Sequence, residues 1–128
     1  MTTELQMVVY SALTLIGLIA VQGGAGLLKN GIGWGLGNRE DQGDMTPFRG
    51  RAKRAIANQI EAMLMFVPLA LAVHMIGGST KTTAMAATIF VLARLAYAIT
   101  YLLGIKVVRT LVWTVGLFAT FALTPGLI

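Results

Sequence analysis

Arg51, Arg54, Asn58 and Glu61 stand at offsets of three, seven and ten residues. On a helix turning 100° per residue, that spacing gathers all four within an arc of about 80°. Arg94, Tyr97 and Tyr101 repeat the pattern at offsets of three and seven, within about 60° of one another. Arg109 follows a few residues later. Guanidinium groups bind carboxylates through paired N–H donors, a carboxylate holds an ammonium, and amide and phenol groups satisfy peptide atoms. The two sets together suit a small zwitterion carrying more negative than positive charge.

The surrounding sequence puts these residues in a membrane. Of the 128 residues, 56% are hydrophobic and 12% charged, too few polar groups to coat a water-soluble surface. Four apolar stretches, roughly Met7 to Leu28, Ala55 to Gly77, Thr82 to Leu103 and Val107 to Ile128, each approach the ~20 residues needed to cross a bilayer as helix. The expectation is a single all-α domain over residues 1–128, an integral membrane four-helix bundle. The first stretch lacks a basic lead and is too long for a signal core, so it is expected to remain as a helix. Lys29, Arg39, Arg49, Arg51, Lys53, Arg54, Lys106 and Arg109 cluster in the loop from Lys29 to Arg54 and in the last turn, whereas the other side has little beyond Lys81. The positive-inside rule then makes the long first loop cytoplasmic and leaves both termini outside.

In that frame Glu61 lies about 9 Å into its apolar run, and Arg94 lies at a comparable depth on an antiparallel helix. Charges at such a depth are costly without partners. A packing ion pair between Arg94 and Glu61 would account for those two but not for Arg54 and Asn58. Arg51 has an alternative role at lipid headgroups, and Tyr97 and Tyr101 have one as interfacial aromatics.

Other chemistries find little support. The chain has no cysteine, so disulfides, thiolate metal ligands and a cysteine nucleophile are excluded. His74 has no second ligand at metal spacing, the seven methionines read as packing, and no Ser/His/Asp or paired-carboxylate set is present. No metal is expected. The net charge of +5 reads as topology signal, not as a nucleic-acid surface. Gly31, Gly33, Gly35 and Gly37 precede the polar run Asn38 to Asp41 and read as a flexible loop, because no strand precedes them to make a phosphate cradle. Thr46 and Pro47 form a helix start, Pro68 is expected to kink its helix, and Gly23, Gly24 and Gly26 permit close helix contact.

Glutathione fits the zwitterion. Its two carboxylates suit Arg54 and Arg94, its ammonium suits Glu61, and its peptide groups suit Asn58 and the tyrosine hydroxyls. Its thiol needs a cation to ionise, and Arg109 is the candidate. Lowering a thiol pKa of about 8.5 by two takes roughly 2.7 kcal/mol of preferential thiolate stabilisation. The rival is a small four-helix transporter with Glu61 as its proton-coupled site, although the surrounding cations would hold that carboxylate ionised.

Arg51, Arg54, Ala55, Asn58 and Glu61, with Arg94, Tyr97, Tyr101 and Arg109 after them, resemble the second-helix and third-helix signatures of the MAPEG family, the membrane-associated proteins in eicosanoid and glutathione metabolism. The resemblance covers nearly the whole chain. It implies a homotrimer binding glutathione between neighbouring protomers. Arg51, Arg54, Asn58, Glu61, Arg94, Tyr97 and Tyr101 would contact the tripeptide, with Arg109 as the catalytic thiolate stabiliser. Asp41 resembles an acidic loop residue with a mechanistic role in the prostaglandin synthase branch. Ala57 stands where some members carry arginine, Asn30 or Lys29 falls at a first-helix arginine position, and Thr110 and Trp113 replace serine and tyrosine. These departures direct the expectation away from eicosanoid substrates. It becomes a transferase or peroxidase of bacterial inner-membrane type that uses glutathione on a lipophilic electrophile or hydroperoxide. A non-catalytic member is the remaining alternative.

Overall fold

A computed structural model describes residues 1–37 and 46–128. Helix α1 spans Thr3–Asn30, α2 Ile32–Leu36, α3 Pro47–Met75, α4 Lys81–Leu102 and α5 Val107–Phe121, and a 3-10 turn covers Pro125–Leu127. Four segments are long and apolar enough to cross a membrane: α1, α3, α4 and Val107–Leu127. The chain is thus an all-α, multi-pass membrane protein.

The helix boundaries follow local chemistry. Thr2 caps α1 by accepting from the Leu5 N–H, and Thr46 caps α3 by accepting from the Arg49 N–H, with Pro47 in the first turn. This is the helix start expected from the Thr46–Pro47 pair. Thr80 and Thr83 form a reciprocal capping box at α4. These contacts satisfy N–H groups that a helix leaves without partners at its start. Pro68 lies inside α3, which continues to Met75.

Two expectations about glycine change. Gly31 to Gly37 do not form one open loop, because Ile32–Leu36 closes into a short helix. Of the three glycines expected at close helix contacts, only Gly26 has one among the described residues. A Cβ there would lie 3.2 Å from Arg49 Nη2 and 3.2 Å from Trp34 Cζ3, whereas Gly23 and Gly24 face open space. Asn38 to Asp41, including the candidate Asp41, lie outside the described residues.

The core sits toward the far end of the bundle from the basic residues. Phe66 and Phe90 stack at 3.9 Å between centroids and 8° between planes. Ala62, Ala70, Val73, Ala86, Ala87, Ala119 and Leu123 surround them. Alanines let the backbones approach closely where lipid supplies no hydrophobic drive for helix association. At this end the buried Glu4 carboxylate accepts from Ser79 Oγ at 2.8 and 3.0 Å and from Thr83 Oγ1. His74 shares a 3.0 Å hydrogen bond with Thr2 Oγ1. The start of α1 is thereby fastened to the α3–α4 connection.

Candidate functional site

The buried residues of α3 include Ala52, Ala55, Gln59, Ala62, Phe66, Ala70 and Val73. Arg51, Arg54, Asn58 and Glu61 each precede one of these residues, about 100° round the helix. The polar stripe therefore lies on the flank of α3, not on its core face. Arg51 and Asn58 are half-buried, and Arg54 and Glu61 are exposed.

Glu61 is not buried against the core, which reflects the side of α3 it occupies and not its level along the span. An ion pair with a buried Glu61 does not hold Arg94. Arg94 Nε donates to Gln59 Oε1 at 2.9 Å, and the Arg94 guanidinium lies 4.3 Å from the centroid of the Tyr97 ring. Arg94 and Tyr97 are 3% and 6% exposed, so two of the three polar residues expected on one face of α4 point inward, while Tyr101 is half-buried.

Across from the α3 flank, Tyr101 accepts a 3.0 Å hydrogen bond from Arg54 Nε. The Arg109 guanidinium lies 4.5 Å from the centroid of the same ring. Arg51 Nε donates to the Leu102 carbonyl at 3.1 Å, where a cation also meets the negative end of the α4 dipole. The tight turn into α5 depends on Gly104, whose φ of 77° is a left-handed conformation.

These contacts enclose a cavity of about 460 Å³ lined by Thr46, Pro47, Gly50, Arg51, Arg54, Tyr101, Gly104, Lys106 and Arg109. Among the described residues, four that line it are cations and none is acidic. Arg109 also walls a second cavity of about 200 Å³, together with Asn58, Tyr97, Thr110 and Trp113. The Oδ1 of Asn58 is buried there without a hydrogen-bond partner among the described residues. An unpaired buried acceptor costs about 1–3 kcal/mol, and a ligand N–H or ammonium would satisfy it.

The structure thus brings Arg51, Arg54, Tyr101 and Arg109 to one cavity and Asn58, Tyr97 and Arg109 to the next. Arg94 opens on a narrow fissure beside Trp113 and Gly116. Glu61 lines neither cavity. Sequence reasoning missed Gln59 and Arg49. Gln59 is fully buried, and Arg49 is 2% exposed with its guanidinium 5.3 Å from the centroid of the Trp34 ring. The signal for Gln59 was its spacing with Ala52, Ala55, Ala62 and Phe66, which puts it on the core face. In the sequence Arg49 reads only as one of the charges of the first loop.

The fold and the cleft define a multi-pass helical membrane protein with a cation-lined site between α3, α4 and α5. Among families of known proteins, the model of the MAPEG family matches residues 7–128. The chain belongs to the MAPEG family. No curated protein and no solved structure matches it.

Proposed function

We propose that this protein is a glutathione-dependent membrane enzyme that joins the glutathione thiolate to a lipophilic electrophile, or uses it to reduce a lipid hydroperoxide. The observation that carries this reading is the pair of cavities sharing Arg109: among the described residues, one is lined by four cations and no acid, and the other holds Asn58 Oδ1 without a partner. Membership of the family is consistent with it.

Arg51, Arg54 and Arg94 serve the two carboxylates, Asn58 and the Tyr97 and Tyr101 hydroxyls serve the peptide groups, and the exposed Glu61 serves the ammonium. Arg109, against the Tyr101 ring, stabilises the thiolate. Partial exclusion of water strengthens that interaction, because the same charge pair is worth more at lower dielectric. In conjugation the thiolate sulfur forms a bond to the electrophilic carbon, and the leaving group departs with the bonding electrons. In the peroxidase reaction two glutathione thiols reduce the hydroperoxide to alcohol and water and end as the disulfide. The second substrate arrives from the bilayer, so holding both reactants at one cleft contributes through proximity.

The protein is further proposed to be a homotrimer, with the basic end of the bundle in the cytoplasm of a bacterial inner membrane and both termini outside. The excess of cations at the α3 start and the α4–α5 turn supports the orientation.

The test is conjugation of an aryl halide by purified protein in detergent, with saturable dependence on glutathione. Arg54→Ala, Glu61→Ala and Arg109→Ala are each expected to impair binding or turnover. If all three leave both unchanged, the site assignment is wrong. Proton-coupled solute flux in liposomes without glutathione binding would favour the transporter reading.

A further inference from the structure

Arg94 is a buried cation whose hydrogen-bond partner is neutral. Its Nε donates to Gln59 Oε1 at 2.9 Å, and Gln59 Nε2 donates to the Ser11 carbonyl at 3.2 Å. Gln59 is 0% exposed. A guanidinium can only donate and a carbonyl can only accept, so the bridging group must present an acceptor to one and a donor to the other. A carboxamide does this without adding charge. The two partners also fix which way the amide faces, since turned over it would set N–H against N–H and oxygen against oxygen.

The bond engages Nε, the edge of the guanidinium nearest the stem. Among the described residues the two Nη groups make no hydrogen bond. The stem packs near Gly116, where a Cβ would lie 3.8 Å from Arg94 Cδ, and the Tyr97 ring covers one guanidinium face. Arg94 is therefore held on three sides by neutral groups, and among the described residues its outer donors are uncommitted and its charge is unpaired. Taking an arginine this deep into the bundle is costly, and an anionic ligand would offset that cost.

We propose that Gln59 is a positioning residue for ligand binding: its carboxamide fixes Arg94 through Nε and leaves the Nη groups to take an anionic group of the ligand. The proposal rests on the reading of the cleft as a glutathione site. Gln59 touches no ligand itself and acts through Arg94.

The experiment is a double-mutant cycle read by calorimetric titration of glutathione into detergent-solubilised protein. Gln59→Met keeps the volume and removes both bonds. It should weaken binding about tenfold in the wild-type background, the loss that one charge-assisted hydrogen bond represents. In an Arg94→Ala background it should change affinity less than twofold, because sites that act through one another are not additive. An equal loss in both backgrounds overturns the positioning role and points to a general packing role. Gln59→Glu separates the two ends of the amide, since it keeps an acceptor for Arg94 and gives up the donor to Ser11. Its added negative charge would answer the Arg94 cation in place of the ligand anion, so affinity should fall at least as far as with Gln59→Met, and affinity held within about threefold of wild type overturns the proposal even where Gln59→Met folds poorly. Absence of glutathione binding by the wild type overturns the underlying reading. Binding by the wild type with an additive cycle overturns only the role of Gln59.

Discussion

The guanidinium of Arg109 lies 4.5 Å from the centroid of the Tyr101 ring, while the hydroxyl of that tyrosine accepts a 3.0 Å hydrogen bond from Arg54 Nε. One side chain of α4 thereby orients a cation from α5 with its face and a cation from α3 with its tip. Both arginines are drawn to the same cavity, although their mutual repulsion would otherwise separate them.

The face and the tip of Tyr101 can be separated experimentally. Tyr101→Phe keeps the ring under Arg109 and removes the acceptor for Arg54. Glutathione affinity should fall by about 1.5–3 kcal/mol, the usual range for a hydrogen bond to a charged group, with little change in the ionisation of the bound thiol. Tyr101→Ala removes both interactions, so the thiol pKa of the complex should also rise. Calorimetry for affinity, and ultraviolet absorbance of the thiolate against pH for ionisation, check the two effects.

At the other end of the bundle, Glu4 is a stability element. Its buried carboxylate is the acceptor for Ser79 and Thr83. Glu4→Leu leaves those hydroxyls without it and should cost about 1–3 kcal/mol. Thermal denaturation in detergent should show a lower midpoint. Glutathione affinity, measured below the transition, should stay within about twofold of wild type, since charges screened across the length of the bundle couple weakly.

Gly104 and Gly26 should fail for different reasons. At Gly104 an added Cβ would sit 3.7 Å from Arg51 Cζ, an ordinary contact, but the φ of 77° is left-handed. Gly104→Ala should therefore cost about 1–2 kcal/mol through backbone strain alone. Denaturation midpoints should record that loss, with the cavity still able to bind.

Gly26 lies within a helix, so its backbone is unstrained. Its added Cβ would press at 3.2 Å on both Arg49 Nη2 and Trp34 Cζ3. Gly26→Ala should cost about 1–3 kcal/mol by overpacking. A larger side chain should be worse, and proteolysis between α2 and α3 should become faster as Trp34 is displaced.

Much of the fold was legible because its signals are long-range in composition. Four apolar runs and a flanking excess of arginine and lysine define the spans. Thr46–Pro47 marks the start of α3 through elementary capping chemistry. The short helix at Ile32–Leu36 was not legible, since four alternating glycines carry no helix signal, although the Gly35 N–H donates to the Gly31 carbonyl at 3.2 Å. In the site, periodicity correctly grouped Arg51, Arg54, Asn58 and Glu61. It could not say which flank of the core they occupy, and so it did not show that Glu61 stands exposed beside the core face. The partner of Arg94 was hidden for a related reason. Gln59 is a single polar residue among alanines on the core face, and only the packing of α1 against α3 and α4 reveals that Ser11 and Arg94 meet its two ends.

The central claim is that the cation-lined cleft binds glutathione, and the most direct measurement is the thermal midpoint of the detergent-solubilised protein across a glutathione titration. A ligand that binds only the folded state raises its stability with concentration. The midpoint should rise and saturate for the wild type, with a much reduced response for Arg54→Ala and Arg109→Ala. A flat titration of folded wild-type protein, or the same rise in both variants, would contradict it.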